Sequence, residues 1–437
     1  MKIRNQNTFR AIVITAFALF LFALPSCKKD DAPATVLPTV ITTAATNIST
    51  TGATTGGNIS SQGSGTITAK GVVWSTNVNP TIDLTTKTND GTGIGSFTSS
   101  VTGLQPNTTY HIRAYATSSA GTAYGSDISI TTTSVAKIYV CGYSQDPGND
   151  QASLWIDGTS ALLASTAIKS YASGIAISDA GDIYTAGWDF TGGIDNAKIW
   201  KNGVATVLST SNSRAYSVFI SGSDVYVAGF ESNGSQLVAK YWKNGTPISL
   251  SNGTNEAAAN AIYVSGSDVY VAGYENNGSI DIAKYWKNGV GIALTNGYGT
   301  SYAHANSIFV SGNDVYVAGY EFNGTVEIAK YWQNGTATPL ASNSSRANSI
   351  FVAGNDVYVA GYEKGSATYW KNNIGTSFTA TSLFSAEAKS IFINGNDVYV
   401  AVTEYNMSLE KAKYYKNGVE TILSTSLRSG AFGIVVK

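Results

Sequence analysis

Asp314-Val315-Tyr316-Val317-Ala318-Gly319 is the stretch on which the fold turns, because the chain keeps returning to it. The same six residues start at Asp224, Asp268 and Asp356. Variants start at Lys137 (KIYVCG), Asp182 (DIYTAG) and Asp397 (DVYVAV). Successive starts are 45, 42, 44, 46, 42 and 41 residues apart. Self-similarity at that period marks a solenoid or a radial array of small sheets. Val315 and Val317 lie on one face of the predicted strand, Tyr316 and Ala318 on the other. A strand with one buried face would alternate apolar and polar residues, so this one is buried on both.

Working outward, each unit predicts four short strands, at residues 307–310, 315–320, about 326–332 and 336–340 in the unit quoted. Asn334-Gly335 joins the third to the fourth, as do Asn202-Gly203, Asn244-Gly245, Asn288-Gly289 and Asn417-Gly418 elsewhere. Asn-Gly supplies the positive φ angles of a type I′ hairpin. Trp200, Trp242, Trp286, Trp332 and Trp370 recur on the third strand, with Trp155 and Tyr415 in the equivalent places, as fillers between sheets. Four antiparallel strands per unit is the grammar of a β-propeller. The first unit lacks a leading strand, and residues 431–436 form a spare one. Together they make a seventh blade and leave no open ring. The run Ile175-Ala176-Ile177-Ser178-Asp179-Ala180-Gly181-Asp182-Ile183-Tyr184 resembles the bacterial seven-bladed propeller repeat known as SBBP. That resemblance spans residues 136–437 and implies a fold more than a function, because most such proteins lack an assigned activity.

The N-terminal part divides further. Lys2, Arg4 and Arg10 precede an apolar run at 11–24, too short for a comfortable membrane span, ending in Leu24-Pro25-Ser26-Cys27. This resembles a bacterial lipobox: residues 1–26 are expected to be a signal peptide, Cys27 the lipidated residue and 27–37 a tether. Lys28-Lys29-Asp30-Asp31 resembles the export signal of lipoproteins displayed on the outer membrane's outer face. Residues 38–133 read as a β-sandwich. Leu104-Gln105-Pro106-Asn107-Thr108-Thr109-Tyr110 with the Ser119-Ala120-Gly121 turn resembles a fibronectin type III domain, which implies a spacer with Tyr110 making a corner bond. On the strand after it, Tyr110, Ile112, Ala114 and Ala116 are expected inside, and His111, Arg113 and Tyr115 outside. The expected class is therefore all-β: a fibronectin type III-like sandwich, then a seven-bladed propeller.

Charged residues are 13% of the 437, about half the usual share. No basic stripe is present, which argues against a nucleic-acid partner. Cys141, with Cys27 lipidated, has no partner and is expected to be a buried thiol. Catalytic motifs are missing: there are two histidines, and no G-x-S-x-G, Walker or H-E-x-x-H sequence. No cofactor or metal is expected.

The leading strand of each unit reads x-Ala-x-Ser/Gly-Ile with small departures. The first x is Tyr171, Arg214, Ala258, His304, Arg346, Glu387 and Gly430; the second is Ser173, Tyr216, Asn260, Asn306, Asn348, Lys389 and Phe432. A constant scaffold presenting a varied polar ring reads as a binding funnel or as an unselected solvent-filled mouth. The candidate ligand-binding residues are Tyr171, Arg214, Tyr216, Asn260, His304, Asn306, Arg346, Asn348, Glu387 and Lys389. A second set, Glu231, Glu275, Glu321, Glu363 and Glu404 with Asp189, has a Lys nine residues on in every case but Glu363. These read as ion pairs serving contacts with neighbouring blades, or as an acidic rim. Three functions stay open: a lipid-anchored binding or adhesion module for a glycan or protein, a glycan-processing hydrolase at the funnel, or an envelope scaffold.

Overall fold

The computed structural model describes residues 34–146, 148–163, 168–297, 301–378, 385–406, 409–426 and 428–437; the leader and Cys27 lie outside them. Every regular element described is a β-strand. Two compact units result, one ending at Val135 and one running from Ala136 to Lys437.

The first unit has two antiparallel sheets. Thr39–Thr46, Gly52–Ser61 and Gly95–Thr102 form one; Ala69–Ser75, Thr109–Ser118, Gly121–Tyr124 and Ile128–Thr131 form the other. Val72, Trp74, Val101, Leu104, Ile112 and Ala114 meet in its core, and Tyr110 packs against them. The Tyr110 hydroxyl accepts a hydrogen bond from the Gln105 amide at 3.0 Å, so a corner bond is present. His111, Arg113 and Tyr115 do share the face opposite Tyr110, Ile112 and Ala114, but that face is not open to solvent. Residues 86–91 pair along the edge of Ala69–Ser75, Tyr115 is buried, and its hydroxyl donates to the Thr88 carbonyl at 2.6 Å. His111, read as exposed, is half-buried against Asp127 at 3.1 Å.

The second unit contains seven four-stranded antiparallel sheets. In the fifth, Ala303–Ser311, Asp314–Phe322, Glu327–Gln333 and Thr336–Pro339 pair in sequence order. The leading strands of the second to seventh are Lys169–Ile177, Ser213–Ser221, Ala257–Ser265, Ala303–Ser311, Ser345–Ala353 and Ser385–Asn394. The first sheet takes its leading strand, Ser429–Val436, from the far end of the chain, paired to Ile138–Asp146. Each leading strand lies against the next, and Ser429–Val436 lies against both the seventh and the second. The contacts thus run in cyclic order. Asn334 (φ 50°) and Gly335 (φ 84°) adopt the left-handed geometry that their hairpin requires, and the other Asn-Gly pairs match it.

The leading strands are longer than the sequence suggested, and all seven break register at one place. In the fifth sheet Ala305 faces Gly319 and Ser307 faces Ala318, which leaves Asn306 as a bulge. The second variable residue is the bulged one in every sheet. A bulge bends its strand and re-aims a side chain. It also explains the glycine that ends the hexapeptide: a Cβ at Gly319 would stand 2.0 Å from the His304 carbonyl oxygen. Gly142, Gly187, Gly229, Gly273 and Gly361 are as tightly placed, and Val402 alone departs. Between sheets, each tryptophan packs on the sheet before its own: Trp286 against Tyr226 and Ala228, Trp332 against Tyr270 and Ala272. All six are buried, whereas Tyr415 is half-buried and bonds Glu420 at 2.8 Å.

Gly319→Ala is expected to lower the urea midpoint by the equivalent of about 1–3 kcal/mol at unchanged slope, the usual cost of overpacking. Thr336→Ala, on an exposed outer strand, should change it by less than about 0.5 kcal/mol. Equal effects would mean that the bulge does not need glycine opposite it.

Candidate binding site

Because the bulge turns the second variable residue out of the ladder, Tyr216, Asn260, Asn306, Asn348 and Lys389 meet with Ser173 and Phe432 around one cavity of about 370 Å³. All seven leading strands contribute to it. The asparagines are only half available. Asn260, Asn306 and Asn348 each donate through Nδ2 to the carbonyl of Ala305, Ala347 and Ala388 on the next sheet, at 3.0, 2.9 and 2.9 Å. One residue on, Ser307, Ser349 and Ser390 accept from the amides of Ile350, Ile391 and Ile434 at 3.2–3.3 Å. Ser217 does the same for Ile262 at 3.4 Å, so where this small position is serine its hydroxyl ties neighbouring sheets; Gly174, Ala261 and Gly433 fill it elsewhere.

The first variable residues do not line this well. Four of the seven reach back to an acid on the third strand of the preceding sheet. Tyr171 donates to Asp150 at 2.6 Å, Arg214 meets Asp195 at 2.7 Å, His304 Nε2 meets Asp281 at 2.9 Å, and Arg346 Nη2 meets Glu327 at 2.6 Å. Arg214 lies over Trp188 at 4.2 Å and Arg346 over Tyr320 at 4.6 Å. His304 stacks on Tyr274 at 4.1 Å, and its Nδ1 lies 3.1 Å from the Tyr320 hydroxyl. With Nε2–H donating to Asp281, Nδ1 is left to accept from that hydroxyl.

The pairing lapses at the other three interfaces. Where the seventh sheet presents Glu410 the variable residue is Gly430, and Arg428 reaches Glu410 instead at 3.4 Å; the other two lapses open cavities. Leu237 stands where the third sheet should present its acid, and the facing variable residue is Ala258. A notch of about 320 Å³ opens there, walled by Tyr216, Phe230 and Tyr274, with Arg214, Asp195 and Asn212 on its rim. Burial pushes the phenols of Tyr216 and Tyr274 above their ordinary 10.0, so both are neutral hydroxyls. The other such lapse is at Gly365, facing Glu387. Glu387 instead pairs with Lys389 at 2.5 Å and accepts from Asn348 at 2.8 Å. Here a cavity of about 280 Å³ lies between Arg346, Tyr362, Glu387 and Tyr405. Sequence reasoning missed both notches, although aligning Asp150, Asp195, Leu237, Asp281, Glu327, Gly365 and Glu410 across the repeats carries the signal. It also missed Ser170, Ser213, Ser345 and Ser429, buried hydroxyls that accept from the amides of Ala152, Ala197, Ala329 and Ala412 of the preceding sheet.

The recurring acids do not form a free rim, and their lysine partners lie within their own sheets. Glu231, Glu275, Glu321 and Glu404 pair with Lys240, Lys284, Lys330 and Lys413 at 2.5–2.7 Å across a hairpin of their own sheet, and Asp189 pairs with Lys198 in the same way. Glu363, without its Lys, takes a hydrogen bond from Asn343 at 3.3 Å. Cys141 is buried, and burial pushes its thiol up to about 12, which makes it inert at neutral pH. Among the described residues no group of three or more His, Cys, Asp or Glu is placed to hold a metal. No protein-family model matches the chain, and no curated protein matches it.

The Arg346 guanidinium holds Glu327 below its ordinary 4.5 despite burial, and His304 holds Asp281 below 3.8. A carboxyl depressed in the folded state stabilises above its unfolded value and loses that contribution as pH falls through the folded one. The urea midpoint should therefore be level above pH 4.5 with respect to Glu327 and fall below it. In Glu327→Gln that acid limb should be shallower; an unchanged limb would show that the pair does not govern acid stability.

Proposed function

We propose that this chain is a surface lipoprotein that binds glycan at the axial end of a seven-bladed β-propeller. The cyclic order of contacts among the leading strands and the completion of the first sheet by Ser429–Val436 support the propeller reading. The Tyr110 corner bond supports a fibronectin type III-like spacer at residues 38–133. The lipobox at Leu24–Cys27 supports anchoring at the outer membrane through Cys27.

The observation that carries the binding reading is the notch at Leu237 and Ala258. At this place the inter-sheet pair is replaced by two residues that leave space, and three aromatic side chains border it. Pyranose rings present a C–H face that packs on aromatic rings and hydroxyls that bond amides and fixed ion pairs. A glycosidase needs one carboxyl held protonated at working pH. The mouth carboxyls whose pKa is displaced, Asp281 and Glu327, are both displaced downward, which favours binding over hydrolysis. Exposed large aliphatics such as Val204, Val290, Ile374 and Val419 fall on the fourth strands of different sheets, which gives the scaffold reading little support.

Leu237→Glu with Ala258→Arg reproduces the Glu327–Arg346 pair and should fill the notch. On a glycan array the full chain is expected to bind, and the double variant to lose at least about tenfold in affinity with its melting temperature kept. No binding by the parent chain would remove the glycan reading.

A further inference from the structure

The well shares Tyr216 and Asn260 with the Leu237–Ala258 notch. At its other side, Asn348 and Lys389 line the well and both bond Glu387, which lines the Gly365 notch. One notch lies between the third and fourth sheets and the other between the sixth and seventh. In a cycle of seven, three steps one way and four the other is as nearly opposite as two interfaces can be. Notch, well and notch therefore lie in line across the axis, with tyrosines at both ends: Tyr216 and Tyr274 at one, Tyr362 and Tyr405 at the other.

Charge narrows the occupant. Arg214 is paired with Asp195, Arg346 with Glu327 and Lys389 with Glu387, so each of these cations already has its counter-ion. A site for an anionic ligand would leave a cation free to meet it. The lining of the well is largely hydroxyl and amide, with Phe432 and a few aliphatic side chains beside serines and asparagines whose side-chain carbonyl oxygens are not used in the bonds between sheets. Such a lining suits a ligand that both donates and accepts hydrogen bonds along its length and carries no charge.

We infer that the two notches and the well form one trough that holds a linear, uncharged oligosaccharide, with a ring against the aromatic side chains in each notch and the intervening sugars over the well. The inference rests on the glycan-binding reading and adds the shape, length and charge of the ligand. An equatorially linked β-1,4 chain fits best, because it stays extended and keeps flat C–H faces for both ends. The paired charges then serve as fixed hydrogen-bonding groups, and binding is insensitive to salt.

The test is calorimetric titration of the full chain with cello- and chito-oligosaccharides, from the monosaccharide to the octasaccharide, at low and high salt. Affinity should climb with length by at least about tenfold over the disaccharide, then level once both notches are spanned, with one long chain bound per protein. Leu237→Glu/Ala258→Arg and, separately, Tyr405→Ala should each bring the longest oligomer down towards disaccharide affinity, with circular dichroism and melting temperature verifying the fold. Two disaccharides bound per protein with no gain from length would overturn the trough and leave the glycan reading standing. Affinity that collapses in salt would overturn the role of the paired charges as fixed hydrogen-bonding groups. No binding at any length would overturn the trough, and the glycan reading falls with it only if the glycan array is also blank.

Discussion

At one place in every sheet of the second unit, two residues of the leading strand face a single residue of the next strand. Most of what distinguishes this unit depends on that bulge. It frees one side chain per sheet from the ladder and turns it towards the common cavity. It drives the preceding carbonyl towards the opposite strand, which is why the repeated hexapeptide ends in glycine. Beyond the bulge it sets the serine whose hydroxyl reaches the following sheet. Backbone geometry, sequence motif and cavity are three results of one register shift.

The same economy governs the contacts between sheets. Tryptophans pack between sheets, serine hydroxyls and asparagine amides tie one sheet to the next, and acid–base pairs bridge four of the first variable positions. Buried polar links of this kind add little net stability each, but an unmet donor or acceptor is costly. They therefore fix how one sheet sits on the next. Where the pattern lapses, at Leu237 and Gly365, the space is left as a cavity. Symmetry holds the array together, and these two of its lapses supply the features from which a ligand site can be argued.

Much of this was legible in the residues. The period, the four-strand units and the Asn-Gly hairpins are local patterns, and all appear in the structure. The buried tryptophans followed from a strand apolar on both faces. Less accessible was anything set by register between strands. A bulge at Asn306 cannot be read from Ala305-Asn306-Ser307 alone, though Gly319 was its trace. The candidate ring was drawn as one set of ten residues, and the structure separates it into a ring facing the cavity and a ring engaged with the preceding sheet. Arg214 and Arg346 looked available because the acids they meet, Asp195 and Glu327, sit 19 residues earlier on another sheet.

The pairing of Ser429–Val436 with Ile138–Asp146 joins strands made nearly three hundred residues apart. During synthesis the first sheet must wait for the last strand, with the backbone donors and acceptors of Ile138–Asp146 unsatisfied along one edge. Contacts so distant in sequence slow folding, and an unpaired edge is a template for other chains. Completion of the array is thus a late event, and the interval before it is when the nascent protein is most exposed to misassembly and most in need of a holding partner.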